Sequence, residues 1–129
     1  MENRKLIALV FFSGGLAVAL GAFGAHGLKP YLDESGMSNF QTANRYHMFH
    51  TLLALIVLTN VLFENIAKRV AIELLLGILL FSGSLYILAL RSHFQTIPAW
   101  LGAITPLGGL LFIAGWMEGA IGVLKKLKN

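Results

Sequence analysis

LIALVFFSGGLAVALGAFGA, residues 6–25, is a run of 20 uncharged residues. About 20 predominantly apolar residues in a helix are enough to cross the hydrocarbon core of a bilayer. Leu9, Phe12, Leu16, Leu20 and Phe23 fall on one stripe of that helix. Gly14, Ala17, Gly21 and Gly24 fall on another, with Gly15, Ala19 and Ala22 beside it. Helices in lipid gain little from hydrophobic drive, so close backbone approach through small residues decides how they pair. The bulky stripe is therefore expected to face lipid and the small face other helices. Arg4 and Lys5 before the run give it the look of a secretory signal. It is longer than the roughly 7–15-residue apolar region of such a signal, and more apolar segments follow, so it is read as a retained span.

Outward from this run the pattern repeats. Lys29-Pro30 ends the first segment, since proline disfavours helix at the residue before it. Residues 29–45 are the one long polar stretch and are expected as an outer loop, with a turn at Asp33 to Gly36. Ser38 and Gln41 fit a capping box there, from which a helix leads into the second segment. Only 13 residues, Thr51 to Phe63, lie between His50 and Glu64, too few to span. The second span is therefore drawn as 46–63, which puts His47 and His50 in its first turns, at or just inside the interface. The third is drawn as 70–90 and the fourth as 98–124, with Pro106 inside it freeing the carbonyl of Gly102. A group freed in lipid needs a partner, and a Ser or Tyr of the third segment is the expected one.

Composition agrees. Hydrophobic residues are 57% of the 129 and charged residues 12%, about half the usual charged share of a soluble domain. Mean hydropathy is +0.74. A soluble chain this short has too little interior to hide that much apolar surface. The net charge of +4 comes from basic residues at segment ends, a membrane-topology pattern rather than a nucleic-acid face. There is no cysteine, which excludes disulfides, thiol catalysis and Cys-ligated clusters. Arg4, Lys5, Lys68, Arg69, Lys125, Lys126 and Lys128 fall on one side of the drawn topology, and Lys29, Arg45 and Arg91 on the other. Seven against three places both termini in the cytoplasm. The expected fold is all-α, a single-domain four-helix transmembrane bundle.

Four polar clusters share the outer side in this scheme: GAFGAHGL (Gly21–Leu28), the TAxRYHxxH pattern (Thr42–His50), FSGSLYIL (Phe81–Leu88) and GAITPLGG (Gly102–Gly109). Together they resemble the domain-of-unknown-function 423 family of small integral membrane proteins, over nearly the whole chain. The resemblance implies a four-helix bacterial membrane protein of about this length and no established activity. The third loop, with Arg91, His93 and Gln95, is more polar than those motifs require.

The chemistry-bearing candidates are His26, Arg45, Tyr46, His47, His50, Ser84, Tyr86 and Thr105. His26, His47 and His50 are the candidate metal ligands, since imidazole suits zinc, copper and iron. No Asp, Glu or Cys lies close by in sequence, which weighs against a metal, and histidines at an interface also cap helix ends. His47, His50, Tyr46 and Tyr86 would donate to the carbonyls of a quinone, and Arg45 would meet an anionic lipid headgroup. The bland counterpart is an aromatic belt with a snorkelling arginine. Glu73 and Glu118 lie in apolar runs, where Lys68, Arg69 or Lys125 would pair with them. Four helices without an inverted repeat offer little room for transport. Ser82 and Ser84 lack a catalytic partner, and no nucleotide loop or HExxH exists, so no enzyme is expected. The glycines are read as packing positions, and Gly115 with Gly119 as a face for self-association or a membrane-protein partner. The leading expectation is a non-catalytic protein of membrane integrity or an accessory of a larger complex. The alternative is a quinone- or lipid-binding redox accessory using the outer His/Tyr/Arg cluster.

Overall fold

The computed structural model describes residues 3–128. Four long helices account for most of them: α1 (Arg4–Ala25), α2 (Glu34–Thr59), α3 (Ala67–Ala89) and α4 (Thr105–Lys126). The protein is an all-α, four-helix transmembrane bundle. Helices Arg4–Ala25, Ala67–Ala89 and Ala99–Lys126 (α4 with the 3-10 turn before it) are long and apolar enough to cross a membrane. The more polar α2 runs antiparallel along α1. Phe40 packs on Gly24, the Asn44 side chain on Gly21, and Thr51 on Gly14, so α2 occupies the same depth as a spanning helix.

The start of α2 differs from the sequence expectation. Residues 34–45, drawn as outer loop, are helical. The cap is Asp33, whose carboxylate accepts from the Gly36 nitrogen at 2.6 Å, and not the pair Ser38/Gln41. An acidic cap satisfies a first-turn donor and complements the helix dipole. Buried Phe40 and Ala43 then give these early turns an apolar face. Counted from Glu34, His47 and His50 are residues 14 and 17 of α2. They lie near the middle of the helix, not in its first turns.

The small face of α1 packs as its spacing predicts. Ala17 and Gly24 are buried against α2, while Leu9, Phe12, Leu16 and Phe23 are exposed to the surroundings. α2 also packs on α3, and α3 on α4, while α1 meets α3 at few points. Successive helices therefore lie side by side in a zigzag. This leaves one groove between α1 and α3 and another between α2 and α4. The apolar core, with Val10, Val57, Val70, Leu74 and Phe112, sits toward the end that holds Arg4 and Lys126. There Lys126 donates to the Val61 carbonyl at 2.7 Å and to Glu64 at 2.9 Å.

α3 contains a π-helical turn, Ile78–Ser82, which widens the helix locally. Opposite it, a Cβ on Gly108 would collide with the Phe81 backbone, and one on Gly77 would meet the Phe112 ring at 2.6 Å. Glycine at these two places is what lets α3 and α4 cross so closely. Pro106 is not inside a helix as drawn. A 3-10 turn, Ala99–Ala103, precedes it, and the proline falls in the first turn of α4. Its missing N–H is one of the donors that lack an intrahelical partner anyway, so the proline interrupts no bond inside α4.

Gly115 is buried against α3, and Gly119 lies at the edge of that contact. A Cβ on Gly115 would meet Leu74 at 2.9 Å, and one on Gly119 would touch Phe63 at 3.9 Å. Gly115 is thus packed against α3 within the chain, while Gly119 is half-buried.

Candidate functional site

The polar side chains of α2 divide between the two grooves. His47 and His50 are three residues apart and both are buried, 3% and 6% exposed. Three residues is 60° short of a full turn, enough to aim them into different clefts.

His47 faces α1 and α3. Its Nε2 lies 3.0 Å from the Ser13 hydroxyl, which lies 3.0 Å from the Thr51 hydroxyl. Its Nδ1 lies 3.2 Å from the Tyr86 hydroxyl. Asn44 Nδ2 donates to that same hydroxyl at 3.0 Å and to the Ala17 carbonyl at 2.7 Å. A continuous run of hydrogen bonds thus links Thr51, Ser13, His47, Tyr86 and Asn44 across three helices. Ser13 is residue 10 of the 22 in α1, so the run crosses the middle of the bundle. A connected network at such depth specifies how helices dock.

His50 faces α4. Its Nδ1–H donates to the Tyr46 carbonyl at 2.8 Å, which leaves Nε2 to accept from the Trp116 indole at 3.3 Å. Both ring nitrogens are therefore used. The ring stacks on Phe112 with centroids 3.5 Å apart. Tyr46 stacks over His50 and lies 4.6 Å from the Phe81 ring centroid. These aromatics wall a cleft of about 610 Å³ between α2 and α4.

The other expected site residues are placed apart. His26 is exposed where α1 ends and joins neither histidine. Its row, Gly15, Ala19 and Ala22, is the exposed side of α1, because Ala17 and Gly24 turn toward α2. Arg45 is exposed and makes no hydrogen bond among the described residues. Ser84 joins Thr105 at 2.6 Å and gives its proton to the Phe81 carbonyl at 3.0 Å, so Thr105 is the donor of the pair. This bond ties α3 to the start of α4. Among the described residues no three His, Asp or Glu side chains are grouped to hold a metal ion.

The two carboxylates drawn in apolar runs fare differently. Glu118 accepts from Arg69 Nε at 2.6 Å, the pairing expected from charge. One oxygen of Glu73 is buried without a partner among the described residues, as is the Ser82 hydroxyl in the π turn. Sequence reasoning passed over Ser13, Asn44, Thr51 and Trp116. Asn44 is the first unassigned position of the TAxRYHxxH pattern, and Ser13 is the lone hydroxyl in the first apolar run.

Residues 20–109 match the family model described as a protein of unknown function, DUF423. The chain belongs to the DUF423 family. A membrane protein of the UPF0382 group from Haemophilus influenzae is 44% identical over 126 residues, covering 97% of each chain. The Bacillus subtilis UPF0382 membrane protein YwdK is 41% identical over 96% of this chain and 99% of its own. The Escherichia coli UPF0382 inner membrane protein YgdD is 39% identical over 97% of this chain and 93% of its own. No solved structure matches. The DUF423 match takes in Asn44, Tyr46, His47, His50, Tyr86 and Thr105 but begins after Ser13 and ends before Phe112 and Trp116. Each buried histidine thus joins a residue inside the matched stretch to one outside it. The protein is an integral membrane protein, as its DUF423 relatives are named.

Proposed function

We propose that this protein works without catalysing a reaction, as an accessory of the membrane or of a larger membrane complex. One observation supports this most: the hydrogen-bonded run from Thr51 to Asn44 engages its polar side chains with one another. A catalytic base or nucleophile needs an atom left for substrate. Here the same atoms hold α1, α2 and α3 in register. Photo-crosslinking from the exposed faces of α1 and α4 in native membranes, read by mass spectrometry, tests the proposal. A recurrent membrane-protein partner is the expected result. Recovery of the bare chain in every preparation would overturn it.

The aromatic cleft favours a second reading, a quinone- or lipid-binding accessory. Tyr46, His50, Phe81, Phe112 and Trp116 line a space within the roughly 300–1,000 Å³ range of small-molecule sites. Arg45, Ser84 and Thr105, which the sequence grouped with it, do not line the cleft. Native mass spectrometry from lipid nanodiscs reads this directly. A defined adduct is expected, and its absence across several lipid extracts counts against any resident ligand.

A further inference from the structure

The groove between α1 and α3 has a polar floor. It encloses about 570 Å³ and is walled by residues such as Leu9, Phe12, Leu16, Ile72, Leu76 and Leu79, with Ser13, His47 and Tyr86 also lining it. At about 30 Å³ per water-sized unit, that is room for on the order of 20 heavy atoms. No charged side chain lines it. Its walls belong to helices that span the membrane, so whatever fills it comes from the lipid phase.

Counting protons shows what the floor offers. Asn44 Nδ2 carries two protons, and its two short contacts use them, so Tyr86 accepts from Asn44. The rest of the run has two possible directions. In one, Tyr86 donates to His47 Nδ1, His47 Nε2–H donates to Ser13, and Ser13 donates to Thr51. The unassigned proton is then on Thr51, a residue only 3% exposed, which makes no bond to a backbone carbonyl among the described residues. In the other, Thr51 donates to Ser13, Ser13 to His47 Nε2, and His47 Nδ1–H to Tyr86. The unassigned proton is then on Tyr86, at the wall of the groove. An unpaired hydroxyl proton in a dry interior is costly, whereas one at the groove wall can be met by an occupant. The second direction is thus the one a carbonyl in the groove completes. In the α2/α4 cleft both nitrogens of His50 and the Trp116 indole are already paired, and the remaining hydroxyl on its wall, that of Tyr46, belongs to no hydrogen-bonded run among the described residues.

We propose that the α1/α3 groove holds one single-chain membrane amphiphile with an uncharged carbonyl head, which accepts a hydrogen bond from the Tyr86 hydroxyl. The tail lies along Leu9, Leu16 and Ile72. Two-chain phospholipids exceed the volume, and charged heads find no counter-ion. The proposal rests on the ligand-binding reading but places the ligand in a different groove from the aromatic cleft.

The test uses the full chain in nanodiscs and three probes with the same diazirine-bearing tail of three or four isoprene units. One carries a benzoquinone head, one an alcohol and one a methyl ether. The quinone probe is expected to label peptides of α1 and α3 saturably, and Tyr86→Phe to weaken that labelling roughly two- to tenfold, the value of one neutral hydrogen bond. Leu79→Trp, at an exposed rim position, fills the groove without touching the network. It is expected to abolish groove labelling even if Tyr86→Phe perturbs folding. A preference for the alcohol, equal labelling by all three probes, or indifference to Leu79→Trp would overturn the proposal. Saturable quinone labelling confined to Tyr46 and Trp116 would overturn the groove while sparing the ligand-binding reading. No saturable labelling anywhere would remove both.

Discussion

Asn44 on α2 donates to the hydroxyl of Tyr86 on α3 at 3.0 Å, and the same amide nitrogen holds the Ala17 carbonyl of α1 at 2.7 Å. One side chain therefore sets the spacing of three helices. Asn44→Ala is expected to destabilise the bundle by about 1–3 kcal/mol, because two interhelical bonds are lost and their partners stay buried. Reversible unfolding in mixed micelles measures it. In a double-mutant cycle with Tyr86→Phe, a coupling of about 0.5–1.5 kcal/mol is expected. Strict additivity would show that the contact carries no energy.

Gly108 and Gly109 are neighbours with opposite tolerance. A Cβ at Gly108 collides with the Phe81 backbone, while one at Gly109 makes ordinary contact with the Phe81 ring at 3.8 Å. Gly108→Ala is expected to cost about 1–3 kcal/mol by forcing α4 away from the π turn. Gly109→Ala should leave stability within about 0.5 kcal/mol. Thermal melts of the two variants in one detergent compare them directly. Equal melting temperatures would contradict the close crossing.

His50 acts through both its ring face and its edge. His50→Phe keeps the stack on Phe112 but leaves the Trp116 indole without its acceptor. His50→Ala loses both. The alanine variant is expected to lose more stability than the phenylalanine variant, by roughly 1–3 kcal/mol for the missing aromatic packing. In a Trp100→Phe background, Trp116 emission should shift in both variants, because the hydrogen bond to the indole is gone in each. Unchanged emission in His50→Phe would argue against that bond.

The end of α4 meets the Val61–Glu64 turn through Lys126, at the end of the bundle where α1 begins. With the basic residues counted seven to three toward that end, reporters fused to either terminus should both read cytoplasmic. Adding three lysines after Ser92 should weaken that preference. Opposite readings from the two termini would contradict the four-span arrangement.

The apolar runs and the small face of α1 were legible because lipid imposes a simple rule on length and on residue size. Gly24 and Ala17 pack where their spacing put them. The start of α2 was not legible, because an Asp33 cap followed by polar residues looks like a loop until Phe40 finds Gly24. That one misplacement moved His47 from an expected surface to the middle of the bundle. The site was half legible. His47, His50, Tyr46 and Tyr86 were singled out, but their partners Ser13, Asn44, Thr51 and Trp116 have no motif of their own. Hydrogen bonds between residues 34 to 66 positions apart leave no local pattern. His26 looked chemical because it stands among glycines, yet Phe40 docks on the other side of that helix.

α1 leans almost wholly on α2, and α4 mainly on α3, with His50 of α2 reaching it through Phe112 and Trp116. The chain is thus two helical hairpins joined through the α2–α3 seam. During insertion the first hairpin can close on Ser13, His47 and Thr51 before α3 has left the ribosome. Tyr86 is the one member of the hydrogen-bonded run that arrives with the second hairpin. Its contact with Asn44 is where the second hairpin joins a polar run that the first hairpin otherwise holds by itself.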